Sequence, residues 1–128
     1  MQIKPDCIRD ILLEIEGNIE KTNEIIAFVP GKPRQGRLTA YSFTEIAYHL
    51  RQCDYAGYII GYTSDIGGNV IVKDLSPSGH RFLADIRSDN IWNKTKTIAG
   101  NIGSYSLDTL SRIATGVLTE LIKGQVYK

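Results

Sequence analysis

One helix in the middle of the sequence is marked at both ends, and two strand-like runs follow it directly. Ser42 and Glu45 have the spacing of a capping box, and Tyr41 and Ile46 stand at the two positions of a hydrophobic staple. Gly57 is placed to end the helix, because glycine readily adopts the left-handed conformation found after a helix. The inward face carries apolar residues at helical spacing: Ile46, Leu50 and Cys53. The sequence therefore predicts a well-defined helix between Ser42 and Gly57.

The two runs after this helix predict a β-hairpin. Residues 58–62 (Tyr-Ile-Ile-Gly-Tyr) and 69–73 (Asn-Val-Ile-Val-Lys) are rich in β-branched and aromatic residues. The segment that joins them, 63–68, ends in two glycines that favour a turn. We expect the runs to pair as two antiparallel strands.

The sequence before the capped helix predicts a helix, a strand and a loop. Pro5 suits a first helical position, and apolar residues recur at helical spacing until Gly17-Asn18, where we expect this helix to end. Residues 25–29 (Ile-Ile-Ala-Phe-Val) predict a short buried strand. Residues 30–37 combine two prolines, two glycines and three basic residues, which predicts a basic loop.

The sequence after the hairpin predicts helices. Ser76-Pro77 has the form of an N-cap followed by a first helical residue, and this helix is expected to end near Ser88-Asp89. Residues 91–96 continue or restart a helix, and Gly100 and Gly103 mark a loop. Ser106 is expected to cap a final helix with a broad apolar face. That face comprises Leu107, Leu110, Ile113, Ala114, Val117, Leu118 and Leu121.

The order of these elements predicts an α+β, winged-helix-like fold. A helix is followed by a capped helix of the recognition type, a two-stranded hairpin that would be the wing, and another helix. A chain of 128 residues is the right length for a single domain, 1–128. Within it we expect a winged-helix-like core over 1–88 and a helical C-terminal extension over 89–128.

Two stretches also resemble known families. Residues 41–50 (Tyr-Ser-Phe-Thr-Glu-Ile-Ala-Tyr-His-Leu), followed by Ala-Gly-Tyr-Ile at 56–59, are similar to the recognition helix and following segment of many winged-helix regulators. Residues 75–83 (Leu-Ser-Pro-Ser-Gly-His-Arg-Phe-Leu), with 86–89 and 92–96, resemble an uncharacterised family of Gram-positive bacteria and their prophages. That family is known as a domain of unknown function, and the resemblance runs from about residue 5 to about residue 122. It implies a winged-helix fold and a phage setting but no activity. Ser76 and Pro77 depart from the usual Leu-Thr-x-x-Gly form, yet both suit a helix start.

Two groups of residues are candidates for binding DNA or a partner protein. The outward face of the capped helix offers Thr44, Tyr48, Arg51, Gln52 and Tyr55. Arginine and glutamine can pair with guanine and adenine edges respectively, whereas exposed tyrosines fit a protein interface equally well. In the basic loop, Lys32, Arg34 and Arg37 could hold phosphates, or simply be solvated. The expected wing contains Asp65 and no Lys or Arg, which weakens the DNA interpretation.

The sequence offers no catalytic motif, metal site or cofactor site. His49 and Cys53 have the spacing of zinc ligands on one helical face, and Cys7 and His80 could complete a set of four, but no short ligand pair anchors each half. We therefore expect no metal, no cofactor and no enzymatic activity, and His80 is expected to make a structural hydrogen bond to nearby backbone. The two cysteines, the lack of a signal-peptide pattern and the lack of a long apolar run predict a cytoplasmic protein.

The leading functional prediction is a DNA-binding regulator of phage or prophage type. It would form a homodimer through its C-terminal helix, because paired half-sites raise affinity and specificity. The alternative is a protein-interaction module that binds and modulates a bacterial host protein. A net charge of +1 is compatible with both, since strong nonspecific DNA binders usually carry a denser basic stripe.

Overall fold

The computed structural model of the chain describes residues 1–34 and 36–126. These residues form an α+β structure with five α-helices, one 3-10 helix and five short strands. In chain order the elements are α1 (Pro5–Thr22), β1 (Ile26–Phe28), the 3-10 helix (Gly36–Ala40), α2 (Phe43–Tyr55), β2 (Ile59–Ile60), β3 (Thr63–Ser64), β4 (Val70–Val72), β5 (Asp74–Leu75), α3 (Pro77–Ile86), α4 (Asp89–Ile102) and α5 (Leu107–Val126). The chain divides into two compact units, 1–80 and 81–128, with the boundary inside α3. No helix in the described ranges is long and apolar enough to cross a membrane.

α1 runs one turn beyond the end expected from the sequence. Pro5 occupies the first helical turn as predicted, but the expected stop at Gly17-Asn18 is wrong, because the helix continues to Thr22. A glycine inside a helix costs only about 1 kcal/mol, which packing of the helix can offset. Asn23 ends the helix in the left-handed conformation, with φ +52°, and its N–H donates to the Ile19 carbonyl at 2.8 Å. The buried face of α1 packs against α2 and consists of Cys7, Ile8, Ile11, Leu12 and Ile15.

α2 begins and ends where the sequence predicts. The Ser42 hydroxyl accepts from the Glu45 N–H at 3.1 Å, and the Glu45 carboxylate accepts from the Ser42 N–H at 3.1 Å, so the capping box is confirmed. Ala56 is the C-cap, and Gly57 follows with φ +77°. The buried face is the predicted apolar one with one addition, and it comprises Ile46, His49, Leu50 and Cys53.

The hairpin after α2 is confirmed as an antiparallel ribbon with an interruption near its middle. The expected extent of its turn, residues 63–68, is wrong, because Thr63 and Ser64 form strand β3 and pair with β4. Ile59 lies opposite Leu75 and Thr63 opposite Ile71, so the register is the same on both sides of the interruption. Gly61 lies at the break with φ +72°, and a Cβ there would approach Lys73 Cγ to 2.5 Å. This position therefore favours glycine for both conformation and space.

The predicted strand over residues 25–29 is confirmed as β1, and it joins the hairpin. Ile26 pairs with Val72 and Phe28 with Val70, which gives a three-stranded antiparallel sheet in the order β1-β4-β3. Pro30, which follows β1 by two residues, consequently lies beside the hairpin. A Cβ on Gly68, in the hairpin turn, would lie 3.2 Å from Cγ of Pro30, the first residue of the predicted basic loop.

α3 follows the hairpin without a linker. The predicted cap is confirmed, because the Ser76 hydroxyl accepts from the Gly79 N–H at 3.0 Å. The Ser76 N–H in turn donates to the Tyr58 carbonyl at 2.9 Å, which ties the helix start to the beginning of the hairpin. A Cβ on Gly79 would lie 2.0 Å from that carbonyl oxygen. This close approach of two backbones therefore requires glycine.

In the second unit, α4 and α5 pack against each other across a short connection. Ser88 caps α4, and the loop expected at Gly100 is wrong, because α4 continues to Ile102 and ends at Gly103 with φ +87°. The predicted cap of the final helix is confirmed, since the Ser106 hydroxyl accepts from the Thr109 N–H at 3.1 Å. Buried residues on these two helices include Trp92, Thr95, Ala99, Leu110 and Ala114.

Candidate binding surface

The outer face of α2 is available to a partner. Thr44, Arg51 and Tyr55 are exposed, and the Tyr55 side chain retains 73% of its accessible surface. Tyr48 and Gln52 are half-buried at the edges of this face. The helical spacing therefore assigned Thr44, Arg51 and Tyr55 to the solvent side correctly and placed Tyr48 and Gln52 at its edges, and the role of all five in binding stays a prediction.

A groove of about 340 Å³ separates this face from the hairpin. Arg51 and Tyr62 both line it, and the interaction of the guanidinium with the Tyr62 side chain raises the pKa of Arg51. The groove is lined by Met1, Phe43, Thr44, Ala47, Tyr48, Arg51, Tyr62, Ser64, Asp65, Gly68 and Val70. Sequence reasoning missed Tyr62, because the interruption at Gly61 breaks the strand alternation from which its direction could have been inferred.

The three cations of the predicted basic loop have different surroundings. Lys32 and Arg34 are exposed, and neither makes an ion pair with any residue in the described ranges. Arg37 lies in the 3-10 helix, and its Nη1 is 3.8 Å from Glu14 Oε2 on α1. Lys32 and Arg34 are therefore available to an external anion, whereas the charge of Arg37 is partly compensated.

Phe43 connects the basic loop to the outer face of α2. Its side chain lines the groove beside the hairpin, and it also lines a second pocket that Lys32 and Arg34 border. The structure thus brings the predicted loop cations to the N-terminal end of α2. Lys32, Arg34 and Phe43 therefore line one pocket, although they are separated in the sequence.

The turn of the hairpin is held by its acidic residue. The Asp65 carboxylate accepts from the Asn69 N–H at 3.0 Å and from the Asn69 side-chain amide at 2.9 Å, and the Gly68 N–H donates to the Asp65 carbonyl at 3.1 Å. These hydrogen bonds, led by the one from the Asn69 amide, lower the pKa of Asp65. The same turn presents Ile66 fully to solvent. Asp65 therefore shapes the turn, and the apolar Ile66 forms its tip.

His49 is a buried structural residue. Its Nε2 accepts from the Lys4 N–H at 2.8 Å, and its Nδ1 lies 2.6 Å from the Glu45 carbonyl. Because Nε2 accepts, the proton belongs on Nδ1 and the ring is neutral. Burial lowers the pKa of His49, which favours this neutral form. Both ring nitrogens are thus engaged by backbone groups.

The other three residues considered as zinc ligands, Cys7, Cys53 and His80, lie in different surroundings. Burial raises the pKa of the Cys7 thiol to about 12 and also raises that of the Cys53 thiol. His80 is exposed, and its Nε2 lies 3.7 Å from Asp74 Oδ1, so the expected backbone hydrogen bond is wrong and the ring faces a carboxylate. Within residues 1–34 and 36–126, no group of three or more His, Cys, Asp or Glu residues could hold a metal ion.

Comparisons with known proteins point to a family without an assigned activity. The family model described as "Hypothetical protein (DUF2513)" matches residues 2–105. An uncharacterized protein of Haemophilus influenzae is 28% identical over 120 residues, which cover 91% of this chain and 95% of that protein. No solved structure matches the chain significantly. The expected membership of a family of unknown function is confirmed, whereas its Gram-positive and prophage setting stays a prediction.

Proposed function

The chain belongs to the DUF2513 family of hypothetical proteins, and we propose that it is a winged-helix protein that binds double-stranded DNA with α2 as its recognition helix. The strand order supports this fold. In a winged helix, the short strand after the first helix pairs with the second strand of the wing, as β1 pairs with β4. The 3-10 helix and α2, joined at residues 41–42, correspond to the helix-turn-helix.

One observation carries the proposal, namely that hydrogen-bond donors surround the exposed face of α2. Arg51 stands on that face beside the hairpin, and Lys32 and Arg34 border its N-terminal end. A recognition helix reads bases with side chains on its outer face, while flanking cations bind phosphates and set the orientation. In this arrangement Arg51 would contact a base edge, and Lys32 and Arg34 would contact the backbone. A regulatory role and a phage setting are proposed from the family resemblance alone.

The acidic wing is compatible with this arrangement. The carboxylate of Asp65 accepts hydrogen bonds within the turn, so its presence has a structural reason in the wing itself. Ile66, at the tip, would enter a minor groove as an apolar contact, a role that exposed apolar side chains play in several DNA-binding proteins.

The number of cations predicts the strength of binding. Two phosphate contacts from Lys32 and Arg34 give a slope of about −2 for the logarithm of affinity against the logarithm of salt concentration, and about −4 for a dimer. Affinity for mixed-sequence DNA should therefore be modest. Specific binding would depend on base contacts by Arg51, each worth about 1–3 kcal/mol.

Fluorescence anisotropy on mixed-sequence duplex DNA, titrated over salt, tests the proposal. We expect Arg51→Ala to weaken binding, and Lys32→Ala with Arg34→Ala to weaken it and reduce the magnitude of the salt slope by about 2 for a monomer and about 4 for a dimer. Arg112→Ala is the matched control, because this exposed arginine lies on α5 in an i,i+4 pair with Asp108. The absence of binding at low salt, or an equal effect of Arg112→Ala, would refute the DNA proposal.

An apolar groove between α4 and α5 supports the proposed homodimer. It has a volume of about 380 Å³, with Ile98, Val117 and Leu121 among its lining residues. Lys94 stands on the α4 side and Glu120 on the α5 side. A two-fold contact pairs each surface with itself, so Lys94 of one protomer could meet Glu120 of the other. Analytical ultracentrifugation should therefore detect a dimer that Leu121→Glu converts to a monomer, and a wild-type chain that stays monomeric would refute this assembly.

A protein-interaction module is the second candidate, and the exposed side chains Tyr55 and Ile66 favour it. Aromatic and apolar residues that are exposed in the free protein are typical of the centre of a protein interface. In this case a bacterial host protein would bind to the outer face of α2 and to the tip of the hairpin. Its binding should persist at high salt and be lost in Ile66→Asp, whereas loss in Arg51→Ala with strong salt dependence would favour DNA.

A further inference from the structure

We propose that the pocket beneath the basic loop binds a small organic anion with an apolar body, such as a monocyclic aromatic carboxylate. The pocket lies on the other side of Phe43 from the α2–hairpin groove and has a volume of about 190 Å³. Cavities of about 150 Å³ lined by apolar side chains accept benzene. A single ring with one carboxylate therefore matches the space.

The inner wall of the pocket is apolar and preformed. Phe28 on β1, Leu38 in the 3-10 helix and Ile46 on α2 line it, with exposed fractions of 8%, 6% and 1% respectively. Each belongs to a different element, so the wall is fixed by the packing of the first unit. A ligand would not have to order these side chains, which removes one of the usual entropic costs of binding.

Two cations stand at the mouth of this apolar pocket. Lys32 and Arg34 both line it, and neither forms an ion pair within the part of the chain that the structure describes. The remaining charged residue of the lining is Glu14, whose Oε2 faces Arg37 Nη1 at 3.8 Å. The pocket therefore presents a net positive charge beside an apolar wall. This combination selects an anion that also has an apolar part.

The apolar wall and the two cations together disfavour simpler ligands. An inorganic anion would reach the cations but would gain nothing from Phe28, Leu38 and Ile46. A neutral apolar molecule would contact the apolar wall but leave Lys32 and Arg34 without a counter-charge. An aromatic carboxylate satisfies both, so its affinity should exceed that of either partial ligand.

NMR titration of the full chain with benzoate, benzyl alcohol and inorganic phosphate tests the proposal. We expect benzoate to bind with a dissociation constant on the order of 1 mM, as its size allows. Backbone amide shifts should centre on residues 26–38 and spare α4 and α5. Benzyl alcohol and phosphate should each bind at least about tenfold more weakly.

Variants separate the two halves of the site. Lys32→Ala with Arg34→Ala should weaken benzoate about tenfold, while Lys21→Ala with Lys73→Ala, which removes the same charge elsewhere, should change it less than about twofold. Leu38→Ala should weaken benzoate binding about tenfold, because it removes apolar contacts from the wall of the pocket. An unchanged amide spectrum outside the pocket verifies that each variant is folded.

Three results would overturn the proposal. The first is that no amide resonance shifts in a saturable way with benzoate up to about 20 mM. The second is equal affinity for benzoate and benzyl alcohol, and the third is an equal loss of benzoate affinity in the two double variants. All measurements are made without DNA. The pocket proposal can therefore fail while DNA binding holds, and the reverse is equally visible.

Discussion

Lowering the pH from about 7.5 to about 5.5 should destabilise the folded chain through the imidazole of His49. The ring is fully buried, and its Nε2 accepts from the backbone N–H of Lys4, the residue before α1, at 2.8 Å. A proton on Nε2 would remove that acceptor and place a charge in a buried site, and burial accordingly lowers the pKa of His49. Protonation therefore favours the unfolded chain, where the ring is in water.

The sign and the size of the effect follow from proton linkage. Because the pKa of His49 is lower in the folded than in the unfolded state, stability is present above the unfolded value of about 6.5 and is lost as the pH falls. If the folded ring stays neutral throughout, the free energy of unfolding decreases by at most about 1.4 kcal/mol over this range. The lowered pKa values of Glu45, about 2, and of Asp65 place their titration below this range.

Urea denaturation at the two pH values measures the loss, in the wild type and in His49→Gln. Glutamine can accept the Lys4 N–H but does not titrate, so the variant should lose much less stability on acidification. His80→Gln is the control, because it replaces the exposed histidine and leaves the buried ring of His49 in place, so most of the wild-type loss should persist. If His49→Gln and the wild type lose equal stability, a buried neutral imidazole is not the cause.

Three further substitutions test the packing and the groove. Gly79→Ala should destabilise the fold by more than about 3 kcal/mol in urea denaturation, since its Cβ would lie 2.0 Å from the Tyr58 carbonyl oxygen. Gly17→Ala, at a helical position with nothing within 4 Å, should instead stabilise by about 0.5–1 kcal/mol, and a similar sign for both would contradict the geometry. Tyr62→Phe should leave stability nearly unchanged but weaken DNA binding a few fold by releasing Arg51, and unchanged anisotropy titrations would show that the Arg51–Tyr62 contact does not position the guanidinium.

Local signals in the sequence predicted the elements that depend on neighbouring residues. The capping box of Ser42 and Glu45 and the cap at Ser76 act over three residues, so they could be recognised without any tertiary information. Glycine was a weaker signal for the end of a helix. Gly57 follows the end of a helix as expected, whereas Gly17 and Gly100 lie inside helices, because a glycine permits a helix end but does not impose one.

The candidate surface was only half determined by the sequence. Helical periodicity assigned Thr44, Arg51 and Tyr55 to the solvent side of α2, since this depends only on the spacing of residues along one helix. Periodicity contains no information on which distant segment faces that side. The contact of Arg51 with Tyr62 depends instead on the hairpin and on its break at Gly61.

The sequence by itself determined the approximate positions of most helices and strands and the apolar faces of the helices, because these properties arise from interactions within about four residues. It did not determine the ends of α1 and α4 or the 3-10 helix. Tertiary structure alone decided that β1 pairs with β4, and that Lys32 and Arg34 consequently lie beside Phe43 at the start of α2. The physical reason is that strand pairing and pocket formation depend on backbone and side-chain contacts between segments tens of residues apart. No local pattern encodes which of several compatible segments will meet.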